Sequence, residues 1–335
     1  MKKQQVSFIL GVIGSLFFLW VGFRGLDIRE IVDIMGHIQW GWIMVAVPVY
    51  FVATYILTWR WYFLLKPVQD VPANTLFPVV VIGYMANNLL PLRLGEVMRA
   101  YVLKRETQTP IVPALTTILV ERVFDGLVML TFIFTALLFV EFKENTLRLV
   151  IMVTTPLFFG AMAFFFWLAS APERAHSLYT PLINRLLPSA LHERVFKLAD
   201  ELMQGFDSLR SKRALALVII FSLWSWTVES STYWIVMHAF DFRVDFTVLL
   251  LVVGFGNLST ILPSTAGYIG TFHAVAILTL TAFGVERTIA GSYAIVMHAT
   301  LWLPITTAGV VYLVRLGLRW SDFQRAQTIV SEATS

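Results

Sequence analysis

Asn87-Asn88-Leu89-Leu90-Pro91-Leu92-Arg93-Leu94-Gly95-Glu96-Val97-Met98-Arg99 interrupts one apolar run, and Asn257-Leu258-Ser259-Thr260-Ile261-Leu262-Pro263-Ser264-Thr265-Ala266-Gly267-Tyr268-Ile269-Gly270 interrupts another. Pro91 and Gly95 are four positions apart, as are Pro263 and Gly267, and a shift of 172 residues superposes both pairs. Helix breakers and polar groups survive at membrane depth only inside protein or beside a wet cavity. A matched pair of broken hydrophobic segments is the sequence pattern that points to a transporter's binding site.

Composition sets the solvent. Of 335 residues, 58% are hydrophobic and 14% charged, and mean hydropathy is +0.74. A soluble domain carries nearly twice that charge fraction. Several windows of 18 or more residues are almost free of charge, which makes this a polytopic membrane protein. The chain has no cysteine, so disulfides, thiol catalysis and cysteine metal sites are excluded. The net charge of +4 is no nucleic-acid signal, because the basic residues sit in short loops beside apolar segments. Lys2-Lys3 before the apolar stretch 6–23 resembles the start of a signal peptide. Arg24-Gly25-Leu26-Asp27 follows instead of a small-residue cleavage site, so a retained first span is expected.

Full spans are expected near 6–23, 41–64, 110–141, 148–170, 213–239 and 288–315, with re-entrant broken segments at 73–103 and 246–284. If both broken segments return to the side they enter from, 18 of the 25 Lys and Arg residues lie on the side of the N-terminus and 6 on the other. That ratio makes both termini cytoplasmic. The units 41–141 and 213–315 then have opposite topology, an inverted repeat. The polar loop 171–212 contains a run, 191–209, able to form an amphipathic helix on the inner face. Residues 321–335 form a polar tail.

Ionisable groups at membrane depth are candidates for function. Arg93, Glu96 and Arg99 flank the first break. Glu96 and Arg99 can pair across one helical turn, or Arg93 and Arg99 can hold a lipid phosphate in a guanidinium fork. Asn88 belongs to the same block. Glu121, Arg122 and Asp125 form a second cluster. Arg122 and Asp125 can neutralise each other, Glu121 is a candidate partner for Arg99 or Arg93, and the two carboxylates can share a proton. Arg60-Trp61 reads as a snorkelling arginine beside a belt tryptophan, or else as a phosphate contact. His273 and His298 flank the second break as packing residues, a proton relay or phosphate donors. No third ligand stands near them at metal-binding spacing, so neither a metal nor another cofactor is expected. No P-loop or Gly-x-Gly-x-x-Gly motif occurs, and Ser264 and Thr265 lack an adjacent base.

The blocks Asn88-x-x-Pro91-x-Arg93-x-Gly95-Glu96-x-x-Arg99, Glu121-Arg122-x-x-Asp125 and Pro263-x-x-x-Gly267-x-x-Gly270, with Arg60-Trp61 upstream, resemble the lysylphosphatidylglycerol synthase transmembrane family, also called the flippase-like domain family. The resemblance covers about residues 5–318. In its best-known relatives this region is the flippase half of the multiple peptide resistance factor, which moves aminoacylated phosphatidylglycerol outward. Others stand beside polyprenyl-phosphate glycosyltransferases. His273 replaces an acidic residue frequent in the family, and His298 an arginine, so the resemblance does not extend to the lysyl-lipid substrate. The soluble aminoacyl-transfer domain of the bifunctional relatives has no counterpart in this chain.

The expectation is an all-α polytopic membrane bundle of about six spans plus two re-entrant hairpins, with a single domain over 1–320. It would sit in the plasma (inner) membrane and act as a flippase or transporter for an anionic phospholipid or polyprenyl-phosphate headgroup, not as an enzyme. The alternatives are an accessory protein of a lipid-linked glycosyltransferase and a lipid-phosphate transferase. A homodimer or a glycosyltransferase partner is compatible with either. Arg93, Arg99 and the broken backbone would bind phosphate. Glu96, Glu121 and Asp125 would position the arginines or carry protons. Pro91, Gly95, Pro263, Gly267 and Gly270 would be the breaks.

Overall fold

An apolar chain in lipid must satisfy its own backbone, and a helix does so within one segment. A computed structural model of the chain describes residues 3–90, 94–140, 145–169, 211–260 and 266–319, with isolated positions between 177 and 196 and at Asp322 and Arg325. Among the described residues every regular element is a helix. The breaks Pro91 and Pro263, the candidate phosphate contact Arg93, and nearly all of the run 191–209 lie outside them.

In chain order the helices are α1 (Lys3–Phe23), α2 (Ile28–His37), α3 (Trp40–Leu65), α4 (Ala73–Leu89), α5 (Leu94–Thr107), α6 (Ile111–Phe139), α7 (Asn145–Ala169), α8 (Lys212–Met237), α9 (Phe246–Ser259), α10 (Thr271–Ala282) and α11 (Arg287–Arg315). A single 3-10 turn, Ala266–Tyr268, precedes α10. Among the described residues four helices are long and apolar enough to cross a membrane: α3, α6, α11 and Arg213–Met237 of α8. A fifth crossing arises if the pair Gly11–Phe23 and Ile28–His37, bent by 76°, counts as one span. Met152–Phe164, Phe246–Ser259 and Ala266–Ala282 are shorter apolar helices. Large apolar side chains face outward, as at Met44, Leu157 and Val314. A lipid-facing surface explains them without any partner.

The packing runs across the chain. α3 lies along α8, α4 along α11, and α9 along α6. α4 packs on α5 and α9 on α10, so each broken segment folds back as two packed arms. One core cluster joins α3, α4, α5 and α6 through Trp61, Leu64, Ile82, Met98 and Phe124. A second joins α6, α8, α9, α10 and α11 through Met129, Tyr233, Val252, Ile277 and Tyr293.

After α11 the chain is tied back to α5. Asp322 accepts hydrogen bonds from the Arg319 N–H at 2.7 Å and from the Tyr101 hydroxyl at 3.2 Å, and pairs with Arg105 at 3.6 Å. The Arg319 N–H, then Tyr101 and Arg105, hold this carboxyl below its ordinary range. A depressed folded-state value gives stability that is complete above about pH 4 and is lost as pH falls through that value. Asp322→Asn is expected to speed hydrogen exchange at 316–325 while α3, α6 and α11 keep their protection, as measured by mass spectrometry in detergent. Unchanged exchange at 316–325 would contradict the anchoring role.

Candidate functional site

Arg60 stands five residues before the end of α3, and its side chain points inward rather than along the membrane edge. It is fully buried, as are the neighbouring Trp61 and Glu121. Its guanidinium donates to Asp125 Oδ1 at 2.6 Å and to Glu121 Oε1 at 3.2 Å. Arg60 Nη1 also lies 3.4 Å from Ser222 Oγ of α8. The snorkelling reading of Arg60-Trp61 is therefore wrong. Two carboxylates one turn apart on α6 make a socket that repays removing the guanidinium from water. Glu121 and Asp125 share a guanidinium rather than a proton.

Arg99 of α5 closes the other side of Glu121. Its Nη2 lies 2.8 Å from Glu121 Oε2, a charge contact without the linear geometry of a hydrogen bond. The guanidinium stacks over the Trp61 ring with 4.0 Å to the centroid. Trp61 Nε1 in turn donates to Thr117 Oγ1 at 3.1 Å. The expected Glu96–Arg99 pair does not form: Arg99 is taken by Glu121, and Glu96 Oε2 is buried without a hydrogen-bond partner among the described residues. Arg122 and Asp125 are paired as their spacing predicts, at 3.4 Å. Asp125 also accepts from Trp226 Nε1 of α8 at 2.8 Å. The network thus ties α3, α5, α6 and α8 together.

Beside it lies a cavity of about 150 Å³, lined by Tyr50, Tyr84, Asn87, Asn88, Arg122 and Trp226 on one part, and by Glu229, Asn257, Thr260, Gly267, His298 and Trp302 on another. Both broken segments reach it. Asn87 turns back to accept the Gly95 N–H at 2.7 Å, and Asn88 donates to Thr306 Oγ1 of α11 at 2.8 Å. Gly95 lies so close to the Gly83 carbonyl that a Cβ there would clash. Gly267 has φ of +72°, and a Cβ would meet Trp302 Nε1 at 2.7 Å and the Asn88 carbonyl at 3.2 Å. Here the second broken segment touches the end of the first. Gly270, with φ of +100°, backs onto the Ser15 backbone of α1.

His298 lines the cavity, and His273 of α10 stacks on it with ring centroids 4.7 Å apart and planes within 15°. No group of three or more His, Asp or Glu side chains positioned for a metal occurs among the described residues. Sequence reading missed Glu229, although it is the one acid within Arg213–Met237 and an acid in a span is a signal in itself. It also missed Trp226, Tyr50, Tyr84, Tyr233 and Trp302, which read as ordinary span residues.

Apolar spans around a buried polar site define a multi-pass membrane protein. The chain belongs to the family described as the lysylphosphatidylglycerol synthase TM region, whose model matches residues 8–309. A UPF0104 membrane protein of Methanothermobacter thermautotrophicus is 23% identical over 96% of this chain and 97% of its own length. A UPF0104 membrane protein of Methanocaldococcus jannaschii is 24% identical over 92% of this chain and 94% of its own. The glycosyltransferase AglD of Haloferax volcanii is 22% identical over 92% of this chain, which spans 54% of that relative.

Removing Arg60 leaves Glu121 with Arg99 alone and Asp125 with Arg122 alone, and takes away two buried charge-assisted hydrogen bonds, a loss worth about 2–3 kcal/mol. Arg60→Ala is expected to lower the thermal unfolding midpoint sharply in detergent. Arg60→Lys should recover little, because one ammonium cannot reproduce a fork to two carboxylates. A wild-type midpoint in either variant would contradict the network's structural role. Gly267→Ala is expected to cost about 1–3 kcal/mol in the same assay through its left-handed backbone alone.

Proposed function

We propose that this protein binds and moves the phosphate-bearing headgroup of a membrane lipid, as a flippase-like transporter. The observation that carries the reading is the polar cavity walled by both broken segments, with Asn87 and Asn88 from one and Asn257, Thr260 and Gly267 from the other. Broken segments converging on one cavity are how transporters bring backbone and polar side chains to a substrate inside a bilayer. Arg122 supplies a guanidinium to a phosphate oxygen. Arg60, Arg99, Glu121 and Asp125 fix that wall, while Arg93 and Glu96 belong to the same headgroup path. His273 and His298 serve it from the second break. The acyl or prenyl tails of a phospholipid or polyprenyl phosphate stay in the bilayer. Transport is downhill or proton-coupled, in keeping with the lack of a nucleotide-binding motif in the sequence.

The same reading includes an inverted repeat within a single domain over 1–320, in a plasma membrane with both termini cytoplasmic. The packing supports the repeat. Exchanging α3 with α8, α4 and α5 with α9 and α10, and α6 with α11 turns the α4–α11 contact into the α9–α6 contact. It also exchanges α3–α4 with α8–α9 and α5–α6 with α10–α11, and leaves α3–α8 unchanged. A two-fold axis relating two units has this property. The chain lacks cysteine, so single-cysteine labelling has no background. Exposed Asp70→Cys, between α3 and α4, is expected to react only from the cytoplasmic side, and exposed Asp241→Cys, between α8 and α9, only from outside. Labelling of both from one side would sink the repeat.

The transport reading is tested in proteoliposomes containing head-labelled phospholipid. Arg122→Gln is expected to slow translocation at least tenfold, with the folded protein retained on gel filtration. Equal rates in the variant and the wild type, or no translocation by the wild type, would overturn it. The relative named glycosyltransferase AglD favours one second reading, an accessory role beside a lipid-linked glycosyltransferase. That role predicts no transport alone and co-purification with the transferase.

A further inference from the structure

Glu229 is a carboxylate with an unusual position. It lines the cavity from the middle of α8 and forms no ion pair among the described residues. The acids of α6 differ: Glu121 and Asp125 are held by Arg60, Arg99 and Arg122. A carboxyl group facing a small cavity without a counter-ion must take up a proton or meet a ligand that supplies the charge. The rings of Tyr50, Tyr84, Trp226 and Tyr233 share its cavity. Acid plus aromatic faces is the chemistry that holds an ammonium group. Donors collect on the same cavity's other lining residues. Arg122 Nε and Trp302 Nε1 are buried without hydrogen-bond partners among the described residues. Both can donate to an anion.

From this juxtaposition, and resting on the lipid-headgroup reading above, we infer that the cavity takes a zwitterionic headgroup with one phosphate and one ammonium group. The phosphate meets Arg122 and Trp302, and the ammonium meets Glu229 within the tyrosine and tryptophan rings. A cavity of about 150 Å³ has room for a group this small. A purely anionic headgroup would bring no cation to Glu229.

Native mass spectrometry of the full chain, released from nanodiscs of equal phosphatidylethanolamine and phosphatidylglycerol, tests the assignment. The wild type is expected to retain phosphatidylethanolamine about tenfold over phosphatidylglycerol, the ratio that one charge-assisted contact supplies. Glu229→Gln should abolish the preference, and Glu229→Asp should keep most of it, with unfolding midpoints confirming that both fold. Equal retention of the two lipids by the wild type, or an unchanged preference in Glu229→Gln, would overturn the zwitterion while leaving the lipid reading intact. Retention of neither lipid above the bulk ratio would overturn the lipid reading itself. Saturable binding of soluble phosphoethanolamine by lipid-free protein, equal to that of the lipid, would overturn the lipid as its source.

Discussion

Everything inside this bundle is arranged around the cost of a charge out of water. Arg60 is fully buried, and a lone guanidinium there would be prohibitive. Glu121 and Asp125 share a face of α6 and supply two anionic partners, so α3 cannot rotate or slide against α6 without stripping a buried guanidinium of both. Arg99 draws α5 to the same point, and Trp226 draws α8. The network is a constraint on register more than a source of net stability, since buried ion pairs roughly repay their own desolvation. Its value is that it fixes which helix faces look into the neighbouring cavity.

Close backbone contact finishes what the charges begin. Lipid gives no hydrophobic drive for helix association, so membrane helices rely on tight packing through small residues. Gly83 against Gly95 brings α4 and α5 together. Gly309 does the same for α11 and Met85 of α4. Gly267 allows the second break to meet Asn88 at the first. The polar side chains of the two breaks therefore reach one space from opposite ends of the sequence.

Much of this is legible in the sequence. Long uncharged windows announce helices, and the spans over α3, α6, α8 and α11 follow from length and hydropathy. The Arg122–Asp125 pair follows from a spacing of one turn, whereas the sequence offers Glu121 as a partner for Arg99 or Arg93 without choosing between them. Arg60 was misread because its position near a helix end is compatible with snorkelling, and only partners 61 and 65 residues away distinguish the alternatives. Glu229 was overlooked for a related reason. Its meaning comes from tyrosines on α3 and α4, elements far away in the chain, and local pattern carries no record of that meeting.

The long reach from Arg60 to its partners also has a temporal side. Asp125 is made 65 residues after Arg60. At ordinary rates of synthesis that interval is about 3 to 13 seconds. During it α3 has left the ribosome with a cation and without its α6 counter-ions. An arginine at the centre of an inserting helix costs about 2.5–3.5 kcal/mol on translocon scales, and less near an end, where a long side chain reaches the headgroups. Five residues from the end of α3, Arg60 is placed to wait there. The surface posture that the mature fold rejects is the cheaper one for a lone α3, and the inward posture is repaid only once the α6 carboxylates are present.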